Sequence, residues 1–255
     1  VEEKLYGGAG VWLKSFLETT TLRPAIVSVH NPVTNHYAGF DTFDKDRFPN
    51  FWQIEKPFAN FGTDDIIVWD SQFGAVEGGQ EYDTIARYNF NLLRRFMPGT
   101  YTLNMRGMSH EVRIYTRHPL KADTVLVKEV LYENKVLNSQ KNNFVALSEI
   151  TEAWFGDDMN AEYWFDCEVE AAADAGAAIT SMNFVISSKN NVFYNSAAIP
   201  VEGGKGPVKF NTRIYLPQLE ASQFPYSNNL WLQGTGIIRF QKVKISLKKR
   251  VVKLL

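Results

Sequence analysis

The sequence predicts an all-β fold: an antiparallel β-sandwich of the jelly-roll type with a short N-terminal helix. Three observations point there. Long segments alternate apolar and polar residues with a period of two. Gly, Pro and Asn turn signals punctuate them. Clear helical spacing is confined to residues 10–18, where Trp12 and Phe16, and Leu13 and Leu17, fall at i, i+4. That segment is expected to be a short helix packed on the main body, or an arm docking on a neighbouring subunit. The pattern stops at Pro24, so residues 1–23 are read as a helical arm and residues 24–255 as the jelly-roll domain.

The strands follow in order. Residues 100–106 place Tyr101, Leu103 and Met105 on one face and Thr102, Asn104 and Arg106 on the other, after the turn signal Pro98-Gly99. Residues 161–170 set Tyr163, Phe165, Cys167 and Val169 against Glu162, Trp164, Asp166, Glu168 and Glu170. Residues 208–216 set Val208, Phe210, Thr212, Ile214 and Leu216 against Lys209, Asn211, Arg213 and Tyr215. One solvated and one core face is the antiparallel signature. Near the C-terminus, Ile238 and Phe240 share one phase and Val243, Ile245 and Leu247 the other, the shift that a β-bulge at Gln241-Lys242 produces. Further strands are expected at residues 25–30, 66–70, 111–117, 124–131, 180–186 and 230–233. Residues 85–97 fit helical spacing through Ile85, Leu92 and Phe96, and alternation through Tyr88, Phe90 and Leu92; they are read as a strand leading into the Pro98-Gly99 turn.

A chain of 255 residues with 45% hydrophobic content has material for a large core. Its net charge of -1 sets up no global field toward nucleic acid or membrane, and no apolar run is long enough to span a bilayer. The single cysteine, Cys167, excludes an internal disulfide framework and a Cys-based zinc site. Its place on an apolar strand face predicts a buried small hydrophobe. The start at Val1 is what a processed precursor or an excised domain would show.

Catalytic signatures are weak. Gly203-Gly204-Lys205-Gly206 and Gly7-Gly8-Ala9-Gly10 lack the spacing of a phosphate loop and are expected to be plain loops. Gly107-Met108-Ser109-His110 lacks the closing Gly of a nucleophile elbow and reads as a turn between strands. His30, His36, His110 and His118 form no metal-binding pair. Asp64-Asp65 and Asp157-Asp158 are read as solvated acidic turns, the alternative being that their oxygens help hold a structural calcium; no other cofactor is expected. The row Asp166, Glu168, Glu170 shares one strand face. It is either a solvated charged row or, with Glu168 and Glu170, the carboxylate pair of a glycoside hydrolase.

Aromatics carry the stronger signal, with 18 Phe, 11 Tyr and 6 Trp. Trp164 falls on the polar face of its strand, Trp231 points away from Leu230 and Leu232, and Tyr215 ends the row Lys209, Asn211, Arg213. Rings beside Asn, Arg and Asp make a sugar platform: the ring stacks on the apolar face of a pyranose while the polar groups bond its hydroxyls. The candidate ligand-binding residues are therefore Trp164, Trp231, Tyr215, Arg213, Asn211 and Asp166. The alternative is that a loop, the helix or another subunit covers these rings. The basic C-terminus, with Lys242, Lys244, Lys248, Lys249, Arg250 and Lys253, is either a surface for nucleic acid or an acidic neighbour, or a last strand with lysines guarding an edge.

The order Ala38-Gly39-Phe40-Asp41, Phe48-Pro49-Asn50-Phe51-Trp52, Pro98-Gly99-Thr100-Tyr101-Thr102-Leu103 and the closing run Ile238 to Ile245 resembles the jelly-roll carbohydrate-binding modules of the family 4/9-like, galactose-binding-like group. Such domains are also found in phage tail and head-fibre proteins. The resemblance spans residues 38–247 and implies a fold more strongly than a ligand. It implies a non-catalytic adhesion domain, glycan-binding, of a secreted or virion-surface protein. The alternatives are a capsid or tail jelly roll that assembles through its termini, with other copies as partners, and a jelly-roll hydrolase.

Overall fold

The computed structural model describes residues 2–50, 60–79, 84–85, 88–97, 104–105, 108–120, 122–151, 153, 155, 161–189, 194–216 and 225–252. The expected strand at 100–106 is described only at Asn104–Met105, and Pro98-Gly99, Trp52 and Asp157-Asp158 lie outside the described residues.

The chain divides into two compact units. The first comprises residues 1–123 with 159–161 and 251–255, the second residues 124–158 and 162–250. The boundary expected after residue 23 is not where the chain divides. The N-terminal helix belongs to the first unit, and the division falls at Asp123 and Thr124.

In the first unit, α1 (Glu2–Thr19) and α2 (Pro32–Ala38) accompany a four-stranded sheet of order β1-β2-β6-β3. Its strands are β1 (Val27–Val29), β2 (Ile66–Asp70), β3 (Asn91–Phe96) and β6 (Val112–Thr116). The β1–β2 pair is parallel, and the other pairs are antiparallel. Leu5, Tyr6, Ala9 and Leu13 of α1 join Val27, Val29, Ile66, Val68, Val112 and Ile114 in one buried cluster, the packing that the i, i+4 pattern predicted. Trp12 and Phe16 stack at 4.9 Å.

The helix starts earlier than expected, so Gly7, Gly8 and Gly10 lie within it and not in a loop. The reason is the approach of α2. A Cβ at Gly10 would stand 2.5 Å from the Thr34 carbonyl oxygen and 2.8 Å from Tyr37 Cβ. Glycine's poor helix propensity is offset by the contact that its missing side chain permits. β4 (Asn104–Met105) pairs antiparallel with β5 (Met108–Ser109), so Met108 and Ser109, expected in a turn between strands, are themselves strand residues. Of the ambiguous 85–97 segment, residues 91–96 are strand.

The second unit is the jelly roll. Its strands are β7 (Ala122–Asn138), β8 (Phe144–Ile150), β9 (Ala161–Ala173), β10 (Ala178–Ser187), β11 (Tyr194–Ala198), β12 (Val208–Tyr215), β13 (Tyr226–Thr235) and β14 (Ile237–Val252). They form two four-stranded sheets, β12-β9-β14-β7 and β11-β10-β13-β8. First pairs with last, second with seventh, third with sixth and fourth with fifth. This is one long antiparallel ribbon, with its tip between β10 and β11, wound into a sandwich. The fold is thus the all-β sandwich with an N-terminal helix that the alternation predicted, with the roll lying in the second unit but for the ends of β7, β9 and β14.

The inward rows make its core. Phe165, Cys167, Val169, Ile214, Phe240, Val243, Ile245 and Leu247 are buried on one sheet, and Met182, Phe184, Ile186, Leu230 and Leu232 on the other. β14 runs unbroken through the predicted change of phase: Phe240 and Val243 are buried, while Gln241 is exposed and Lys242 half-buried.

The motifs behind the carbohydrate-module resemblance divide differently. Ala38-Gly39 closes α2, with Gly39 at φ 74° as its left-handed cap, so the first motifs belong to the first unit. Only the closing strand is part of the roll.

Candidate functional site

On the sheet β12-β9-β14-β7 the outward residues are charged and complementary. The register opposes Lys209 to Glu170, Asn211 to Glu168, Arg213 to Asp166 and Tyr215 to Trp164. On the other side of β9, the lysines of β14 complete the neutralisation. Asp166 lies 2.7 Å from Arg213 Nε and 2.9 Å from Lys248 Nζ. Glu168 lies 3.5 Å from Lys242 and 3.7 Å from Lys244, and Lys244 also reaches Glu129 of β7 at 3.0 Å. Arg250 pairs with Glu162. The basic C-terminal run is therefore an interior strand whose cations face an acidic row, not an edge guarded by lysine.

Burial pushes the Asp166 carboxyl up, but its bonds to Arg213 and Lys248 outweigh that and hold it below its ordinary value. A glycoside hydrolase needs one carboxyl kept protonated near neutrality. Glu168 and Glu170, the pair weighed for that role, both stand against lysines.

This face does not offer the open rings expected of it. Trp164 is 4% exposed, with the Arg213 guanidinium 4.9 Å from its ring centre. Tyr215 is buried beside it, with ring centres 6.0 Å apart. Both rings are covered, and Arg213 does part of the covering. Asn211 is exposed, two rows along the strand from Tyr215.

Trp231 lies on the opposite sheet, so the six candidate residues do not come together. Its row across the strands is Phe144 on β8, Trp231 on β13, Asn183 on β10 and Ala198 on β11. Leu230 and Leu232 point into the core, which sends Trp231 outward as the alternation required. Phe144 is 47% exposed and Trp231 half-buried. Polar side chains flank the pair. Ser181 Oγ donates to Gln233 Oε1 at 2.9 Å, and Asn183 Nδ2 donates to Ser181 Oγ at 3.2 Å. Asn229 and Ser196 lie in the next row, and Ser187 with exposed Tyr194 in the row beyond. Sequence reasoning missed Phe144, Asn183, Gln233 and Tyr194. The signal was present for Asn183 and Gln233, which alternate with core residues, but their neighbourhood depends on pairings that only the register reveals.

The first unit holds a buried polar chain that the sequence also did not disclose. Tyr6 Oη lies 2.7 Å from His110 Nε2 and donates to Asp70 Oδ1 at 3.5 Å, linking residues 64 and 104 positions apart. The Asp70 carboxylate caps the π-helical turn Ser71–Glu77 by accepting from the Phe73 N–H at 2.7 Å. Burial raises its pKa to about 6, against the Phe73 bond and the nearby His30.

The calcium reading at Asp64-Asp65 meets occupied oxygens. Asp65 accepts from the N–H groups of Ala25, Ile26 and Gly62, and Asp64 binds His118 at 2.7 Å and the Arg23 N–H at 3.0 Å. Among the described residues, no cluster of three or more His, Cys, Asp or Glu side chains is arranged to hold a metal ion. None of their helices is long and apolar enough to cross a membrane.

No family model matches the chain, and no curated protein matches it. Solved structures give remote likenesses. One is the C-terminal CBM6 of LamC, a marine laminarinase from Zobellia galactanivorans, with TM-score 0.28 and 11% identity over 49% of this chain and 99% of that one. The Drosophila NLP core, described with pentamer formation and histone binding, gives TM-score 0.23 and 12% identity over 49% and 98%. The infectious bursal disease virus VP2 subviral particle gives 0.25 and 8% over 61% and 41%. Likenesses this distant do not bear on function.

Proposed function

We propose that the jelly-roll unit is a non-catalytic glycan-binding module, the adhesion domain of a secreted or virion-surface protein. Its platform is the outer face of β11-β10-β13-β8, centred on Trp231. The observation that carries this reading is the outward pair Trp231 and Phe144, directly opposed on neighbouring strands and bordered by Asn183, Ser181 and Gln233. Rings there stack on the C–H face of a pyranose, and the amides and hydroxyls meet its hydroxyls as both donors and acceptors. The non-catalytic part is supported by the ion pairing of the acidic row on the other sheet.

Tryptophan fluorescence titrated with oligosaccharides tests the reading. A saturable change is expected for the wild type, at least tenfold weaker in Trp231→Ala (about 1.4 kcal/mol or more), and retained in Trp164→Phe. Loss in Trp164→Phe with no effect of Trp231→Ala would return the site to the charged sheet.

A second reading, subunit assembly of the kind a capsid or tail jelly roll makes, has one observation in its favour. Edge strand β7 exposes Val125, Leu126, Leu131 and Val136. Light scattering separates the two: a stable oligomer with no oligosaccharide response would favour assembly.

A further inference from the structure

We infer that the Trp231 platform takes uncharged glycans and discriminates against those bearing carboxylate or sulfate. This rests on the glycan-binding reading above and names the ligand class for the same face.

The two sheets of the roll have opposite electrostatic characters. Strands β8, β10, β11 and β13 together carry one charged residue, Glu149. It pairs across with Ser227, two rows along the strand from Trp231. The other outward positions of this sheet are Phe144, Ala146, Asn229, Trp231, Gln233, Ser181, Asn183, Val185, Ser187, Ser196 and their neighbours, so the polar groups available are amides and hydroxyls. The cations of the unit's outward strand positions sit on the other sheet, where Lys209, Arg213, Lys242, Lys244 and Lys248 all stand against carboxylates of β9 or β7.

An anionic sugar laid over Trp231 would lose hydration from its carboxylate or sulfate and find no cation on these four strands in return. Glu149 adds repulsion from the one charge on these strands. A neutral sugar meets the opposite situation. Each hydroxyl both donates and accepts, and so do Asn183, Ser181, Asn229 and Gln233 taken together. The Ser181–Gln233 and Asn183–Ser181 bonds hold the amides in place before a ligand arrives, which lowers the ordering cost of binding.

The test is an array of neutral and acidic glycans, probed with the full chain, with Trp231→Ala and with Asn183→Asp. Asn183→Asp keeps the shape of the side chain and adds a negative charge beside the tryptophan; near-ultraviolet circular dichroism checks that both variants fold. Neutral glycans are expected to bind at least about tenfold more tightly than acidic glycans of the same backbone. Their binding should change little between about 50 and 500 mM NaCl and should be lost in Trp231→Ala and weakened in Asn183→Asp. Acidic glycans bound preferentially, and lost in Trp231→Ala, would overturn the ligand class while leaving the platform standing. Binding unaffected by Trp231→Ala, or no binding to any glycan, would overturn the platform reading and this inference with it.

Discussion

Replacing Asp70 with asparagine should flatten one part of the protein's pH dependence. Asp70 is 3% exposed, and its carboxyl is shifted from an ordinary 3.8 to about 6, chiefly by burial. The folded state therefore holds the proton more tightly than the unfolded state does. Its contribution to stability is fully present below pH 3.8 and is lost as pH rises through about 6. A displacement of this size corresponds to about 3 kcal/mol in total, of which about 1.3 kcal/mol falls between pH 5 and 7. Asparagine keeps an oxygen for the Phe73 N–H and removes the ionisation, so the cap survives. Urea unfolding of wild type and Asp70→Asn at pH 5, 6, 7 and 8 reads the effect, and the difference between the two cancels every other titrating group. The variant should gain on the wild type by about 1.3 kcal/mol from pH 5 to 7 and change little above pH 7. A difference that is flat across this range, or that runs the other way, would refute burial as the dominant influence on Asp70 and point to His30 or another neighbouring charge.

Two further expectations concern packing. Gly10→Ala should destabilise the chain by about 1–3 kcal/mol, because its Cβ would meet the Thr34 carbonyl and Tyr37. Gly8→Ala, with nothing within 4 Å, should stabilise by about 0.5–1 kcal/mol on helix propensity alone; thermal melts of the pair check both signs. Cys167 is fully buried and its thiol is pushed up by burial, so a thiol reagent should label it only at the rate of unfolding. Fast labelling in native buffer would show the core of that sheet to be open.

What alternation can report is which side of a strand a residue takes, and here it did so well. Residues 161–170 and 208–216 have the predicted faces, and the phase change after Phe240 falls where the burial pattern changes. Alternation does not say which strands become neighbours. Trp164 and Trp231 both point outward, yet one lies on each sheet, because β9 and β13 belong to opposite halves of the wound ribbon. The same limit hid the fate of the acidic row. Glu168 and Lys242 are 74 residues apart, and only the pairing of β9 with β14 sets the basic strand against it. The unit boundary left no compositional trace because no linker marks it: Asp123 and Thr124 are consecutive residues of β7, one continuous strand of 17 residues. Read as composition, the glycines near the N-terminus suggested a loop. Their meaning lay in α2, 24 residues beyond Gly10 at Thr34, whose backbone comes close enough to leave no room for a side chain. The candidate site follows the same logic. Trp231 was visible as an outward ring in a run of apolar residues, whereas the neighbours that make it a platform, Phe144 and Asn183, arrive from strands that precede it by more than 40 residues in the chain. A ligand surface on a jelly roll is assembled across strands, perpendicular to the direction in which the sequence is read, so its individual residues are legible long before their company is.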